Sequence, residues 1–211
     1  MLNSMDGINP AQIDMICELG NIGAGNAATA LSGLLGEKIE MSLPKVEIVP
    51  LADIPSMSGS PDTPVVGGVV DMSGDLTGQI MMILGMKEAC NMAGVVCGRG
   101  GAAGGASADS LTELGMSALG EVMNILAGSY LSAISSLTGL VIIPSIPYVC
   151  ADMVGSVLSI VAIECGEAGD SALFFRTSFS NVMDSIACDF FLLPDRVSYK
   201  KLMDRLGAAS L

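Results

Sequence analysis

Residues 18–32 read ELGNIGAGNAATALS. Gly20, Gly23 and Gly25 stand among alanines and asparagines, as in a phosphate-binding loop or as in a helix built of small residues. The flanking sequence decides for the helix. Asn9 is placed as an N-cap, Pro10 suits the first helical position, and Gln12 completes an Asn-x-x-Gln capping box. Ile8 and Ile13 are spaced as a hydrophobic staple, and Gly36 is a stop signal. Between these ends Ile13, Ile16, Cys17, Gly20, Ala24, Ala27, Ala28 and Leu31 fall within about 60° of one direction at 100° per residue. A dinucleotide loop requires G-x-G-x-x-G directly after a strand. Here the order is G-x-x-G-x-G after a capped helix start, and the closing lysine of a P-loop is missing. Three helical glycines cost up to about 1 kcal/mol each relative to alanine, which close packing of the small-residue stripe can offset.

Asp14, Glu18, Asn21 and Gly25 form a second line on this helix, expected at its shoulder, about 80–140° from the stripe centre. Two carboxylates four residues apart repel slightly, so helix stability does not recommend Asp14 with Glu18.

The chain repeats itself. Residues 21–46, NIGAGNAATALSGLLGEKIEMSLPKV, match residues 124–149, NILAGSYLSAISSLTGLVIIPSIPYV, at 12 of 26 positions. The period is too long for a solenoid and marks duplication of a supersecondary unit. The polar line recurs as Ser117, Glu121, Asn124 and Gly128, beside an apolar stripe from Met116 to Ile134. Each copy predicts a long helix, then a strand with a late proline (KIEMSLPKV; LVIIPSIPYV), then a hairpin, then a shorter helix. The first hairpin is read at VVGGVVDM and LTGQIMMIL, the second at VLSIVAIE and SALFFRT across GEAGD. The closing helices are read at MKEACNMAG and SNVMDSIAC, and residues 97–109, CGRGGAAGGASAD, as a flexible linker. The expectation is one α+β domain of two repeats, about 8–96 and 110–193, plus a C-terminal helix at about 195–207. It should have an antiparallel sheet with a pseudo-twofold axis and two equivalent long helices on it.

Composition removes several function classes. A net charge of −13 disfavours nucleic acid and anionic membrane surfaces. No apolar run reaches the roughly 20 residues of a membrane span, and MLNSMDGINP lacks the basic and apolar blocks of a secretory signal, so a cytoplasmic location is expected. Six cysteines without a C-x-x-C pair, and no histidine, predict reduced thiols and no metal site of the chain's own. The missing histidine also excludes Ser-His and Cys-His catalysis. With 51% apolar but 4% aromatic residues, the core must be filled by aliphatic side chains and many of the 15 methionines.

Both copies fit (D/S)-x3-E-x2-N-x22-P, as Asp14, Glu18, Asn21, Pro44 and as Ser117, Glu121, Asn124, Pro147. This closely resembles the motif of the CheC/CheX/FliY phosphatases of bacterial chemotaxis. The double motif looks like the CheC type; CheX carries one copy, and the chain ends too soon after the second copy for the extra switch domain of FliY. The resemblance implies hydrolysis of the aspartyl phosphate on the response regulator CheY. Glu18 and Asn21 would form one site, and Glu121 and Asn124 the other. Asn would orient the attacking water, and Glu would anchor the regulator, most simply through its lysine. Asp14 and Ser117 would support the face or contact the partner, Gly25 and Gly128 would leave room for it, and Pro44 and Pro147 would set strand geometry. The regulator would bring Mg²⁺, so no cofactor of the chain's own is expected. The resemblance also implies pairing with the deamidase CheD, giving a monomer or a heterodimer. Two alternatives stand beside the phosphatase: a CheD-binding regulatory module with weak hydrolysis, and a flagellar switch-associated protein.

Overall fold

The computed structural model describes residues 9–36, 38–42, 44–50, 53–54, 60–98, 111–164, 171–180 and 185–209. The element order is α1 (Pro10–Leu35), β1 (Glu40–Met41), β2 (Lys45–Pro50), β3 (Pro64–Gly74), β4 (Gly78–Gly85) and α2 (Met86–Val96). Then come α3 (Glu113–Thr138), β5 (Ile142–Pro144), β6 (Tyr148–Met153), α4 (Val154–Glu164), β7 (Ser171–Ser180), β8 (Ser185–Pro194) and α5 (Arg196–Ala209).

The two long helices are built alike. The Asn9 side chain accepts from Gln12 N at 2.8 Å, and Gln12 Oε1 accepts from Asn9 N at 2.9 Å, so the capping box is complete. Gln12 also donates through Nε2 to Met203 O at 2.9 Å, tying the start of α1 to α5. In α3 the cap is Thr112, whose hydroxyl accepts from Gly115 N. Both helices end on a left-handed glycine, Gly36 at φ 66° and Gly139 at φ 69°, with its N–H on Ser32 O and Ser135 O. Two of the internal identities, Ser32/Ser135 and Gly36/Gly139, are therefore one repeated helix stop. Ile8 lies outside the described residues, so the staple is not described.

The strands form an eight-stranded sheet in the order β1-β7-β8-β4-β3-β5, with β2 also on β7 and β6 also on β3. Every pairing is antiparallel. Exchanging the two halves maps this order onto itself, which is the expected pseudo-twofold arrangement. The halves interleave: β1 and β2 pair with β7 of the second copy, while β5 and β6 pair with β3 of the first. The α+β class and the two equivalent helices match the sequence reading.

Side-chain alternation along the central strands gives the sheet two buried faces. Ile80, Met82, Phe190 and Leu192 point into a core shared with α1, α2, α3 and α5, while Met81, Ile83, Phe191 and Leu193 point into a second core beneath α4. Gly67 and Gly68 admit the helices from the two sides. A Cβ on Gly67 would lie 2.3 Å from Val157 Cγ1 of α4, and one on Gly68 would lie 2.0 Å from Met123 Sδ of α3.

The second hairpin corrects the sequence reading. VLSIVAIE, read as a strand, lies in helix α4, and residues 185–188 of SNVMDSIAC, read as helix, belong to β8. The true counterparts of β3 and β4 are β7 and β8, and α5 stands where α2 stands in the first copy. For VLSIVAIE the physical reason is that a short apolar run has no diagnostic period, so strand and helix look alike. The turn GEAGD and most of the linker lie outside the described residues.

Candidate functional site

The phase of α1 differs from the expected one by about half of its 100° step. Leu19 and Gly23 are buried, whereas Ile13 and Cys17 are only half-buried. The cause is α3. It packs along α1, and the Tyr130 ring sits where a Cβ on Gly23 would be, 2.7 Å from Cδ1. Gly20 is a close approach as well, its missing Cβ lying 3.0 Å from Pro44. Asp14, Glu18, Asn21 and Gly25 therefore stand on the outward face of α1, not on its shoulder, and all four are exposed. On α3 Ser117, Glu121 and Asn124 are exposed and Gly128 is half-buried. A Cβ on Gly25 or Gly128 would meet nothing within 4 Å, so packing does not require either glycine.

The second line borders a groove of about 500 Å³. Met116, Ser117, Gly120, Glu121 and Asn124 of α3 form one wall, and the segment Pro144–Pro147 with Val149 forms the other. Among the described residues that line it, Glu121 is the only ionisable one, so they offer a carboxylate, an amide and two hydroxyls but no cation. Among the described residues, no cluster of three or more His, Cys, Asp or Glu is arranged to hold a metal. The structure thus brings Ser117, Glu121, Asn124 and Pro147 together on one cavity.

A pair of serines holds the wall that carries the motif proline. Ser145 N donates to Asp71 O at 2.9 Å, and Asp71 N donates to Ser145 Oγ at 3.0 Å. In the first copy Ser42 N donates to Ser178 O, and Ser178 N donates to Ser42 Oγ, both at 3.0 Å. Each serine stands two residues before the motif proline and fastens its loop to a strand of the other half. Sequence reasoning passed over Ser42 and Ser145, although both are among the internal identities.

The two surroundings are not equal. Cys17 occupies the position matched by Gly120, which helps open the groove in the second copy. Burial, and next the carboxylate of Asp14, push the Cys17 thiol up, so this cysteine stays protonated. Cys188 is buried and pushed up by the same desolvation. Cys17, Cys97, Cys150 and Cys188 are free thiols.

The model of the CheC-like family matches residues 12–48 and 114–149, the two segments that carry the repeated lines. A Bacillus subtilis protein, the CheY-P phosphatase CheC, is 35% identical over 212 residues, covering 99% of this chain and all of its own. This chain belongs to the CheC-like family. Another relative, the flagellar motor switch phosphatase FliY of B. subtilis, is 32% identical over 134 residues, 63% of this chain and 34% of that protein. The fold is shared with Thermotoga maritima FliY, at a TM-score of 0.76 and 24% identity, covering 96% of this chain and 99% of that one. It is also shared with the FliM middle domain of Helicobacter pylori, at 0.68 and 10%, covering 94% and 99%. Among the described residues, no helix is long and apolar enough to cross a membrane.

Proposed function

We propose that this chain hydrolyses the aspartyl phosphate of a CheY-type response regulator, at one site built on Glu18 and Asn21 and a second built on Glu121 and Asn124. The observation that carries the reading is the second groove. It presents Glu121 and Asn124 from one rigid helix, with neither side chain engaged by another described residue. The B. subtilis relative, similar along its whole length, is a CheY-P phosphatase.

An acyl phosphate is already activated, and its hydrolysis calls mainly for positioning and charge neutralisation. The described residues lining the groove supply no cation, so the phosphoryl charge has to be met by what the regulator brings, a lysine and Mg²⁺. Asn124 serves as a neutral amide beside the phosphoryl group, accepting from a water and holding it in line without adding negative charge. The water oxygen forms a bond to phosphorus as the aspartyl oxygen–phosphorus bond breaks. A carboxylate and inorganic phosphate result, and the released proton passes to solvent or phosphate. Glu121 anchors the regulator's lysine. Glu18 and Asn21 take the same roles on α1, with Asp14 adding a carboxylate where the second copy has Ser117. Replacing both Asn21 and Asn124 by alanine should return the lifetime of the phosphorylated regulator to its unassisted value in a phosphate-release assay. Undiminished acceleration would refute the assignment.

A further inference from the structure

Three matched positions around the two sites carry opposite chemistry, while Ile146 is matched by another aliphatic residue, Leu43. In the first copy Lys38, Glu40 and Lys45 edge the motif strand, with Lys38 paired to Glu40 at 2.5 Å and Lys45 paired to Glu47. The residues at the equivalent positions of the second copy are Val141, Ile143 and Tyr148, and they are 63%, 57% and 60% exposed. Ile146, between them, is 91% exposed and itself lines the groove with Glu121 and Asn124. It is held out between Pro144 and Pro147, on the loop that Ser145 fastens to β3. An isoleucine kept in water on a rigid loop gives the fold nothing. Its position, continuous with the groove, is that of a contact awaiting a partner, with little ordering cost left to meet on binding.

We propose that Ile146, with Ile143 and Tyr148, is the apolar docking surface for the response regulator at the second site, flanked by apolar residues where the first copy has Lys38, Glu40 and Lys45. This rests on the phosphatase reading, and it adds that the second site holds its substrate by an apolar contact beside Glu121 and Asn124. Ile146 is then a specificity residue: it binds regulator equally in ground and transition states and acts on KM.

The test uses the full chain carrying Asn21→Ala, so that only the second site reports. Ile146→Ser in this background should raise KM for the phosphorylated regulator at least about tenfold and leave kcat within about twofold. Affinity for the beryllofluoride-activated regulator, measured by calorimetry, should fall by the same factor, and Ile146→Val should restore both. Unchanged KM and unchanged affinity overturn the proposal. So does a loss confined to self-association or to CheD binding, which assigns the patch to another partner. If the unsubstituted chain binds activated regulator, loses that binding on Ile146→Ser and yet never hastens phosphate loss, the docking surface stands and the catalytic reading fails.

Discussion

At the scale of residues, the exposed line and the buried stripe of each helix answer to different demands. Glu18, Asn21, Glu121 and Asn124 make no contribution to the core, so their recurrence at one spacing in both copies reflects what the surface does. Gly25 makes the same point energetically. It is exposed, helical and free of neighbours, and it costs the helix up to about 1 kcal/mol against alanine. Gly25→Ala should therefore raise the midpoint of urea unfolding, while Gly25→Leu should keep stability yet slow regulator dephosphorylation at the first site. A Leu variant that unfolds early would show that the glycine serves packing instead. Tyr130 is the opposite case. It is buried, stacked on Phe190 at 4.4 Å and packed against Gly23, and its hydroxyl has no hydrogen-bond partner among the described residues. Desolvation pushes its phenol well above the ordinary value. An orphaned buried hydroxyl costs about 1–3 kcal/mol, so Tyr130→Phe should stabilise by about 1 kcal/mol in urea titration. Destabilisation would contradict this account of the ring.

At the scale of elements, legibility follows how each segment is buried. The ends of α1 were readable because caps are local: Asn9, Gln12 and Gly36 state their roles within a few residues. The phase of α1 was not, since the side it buries depends on α3, whose Tyr130 arrives from more than a hundred residues away. VLSIVAIE of α4 reads as a strand because it is a short apolar run lying on the sheet, and only the first residues of β8, 185–188, fall in the stretch read as a helix. The Gly67–Gly68 pair was visible as part of a strand, but its function is to let two helices approach from opposite faces. That geometry predicts unequal costs. Gly67→Ala drives a methyl into Val157, whose branched side chain has few rotamers, and should destabilise by about 1–3 kcal/mol. Gly68→Ala meets the flexible end of Met123 and should cost less than about 1 kcal/mol. Equal costs in denaturant unfolding would mean that α4 yields as readily as a methionine side chain.

At the scale of the molecule, duplication has produced one interleaved sheet. Each motif loop is fastened to a strand of the other half, Ser145 to Asp71 and Ser42 to Ser178. Each site's outer wall thus depends on both copies, while its working side chains come from a single helix. The motif and the repeat were legible because they are written twice in the sequence. The groove and the unequal rims were not, because they require β5 and β6 to be laid beside α3. The central claim, that an asparagine on each long helix performs the chemistry, is tested most directly by the lifetime of a phosphorylated regulator. It is measured alone, with the unsubstituted chain, with Asn21→Ala, with Asn124→Ala and with both, alongside thermal melts of each variant. The account predicts that each single substitution leaves part of the acceleration and that the double substitution, melting normally, leaves none; a normally folded double variant that still shortens the lifetime as the unsubstituted chain does would contradict it.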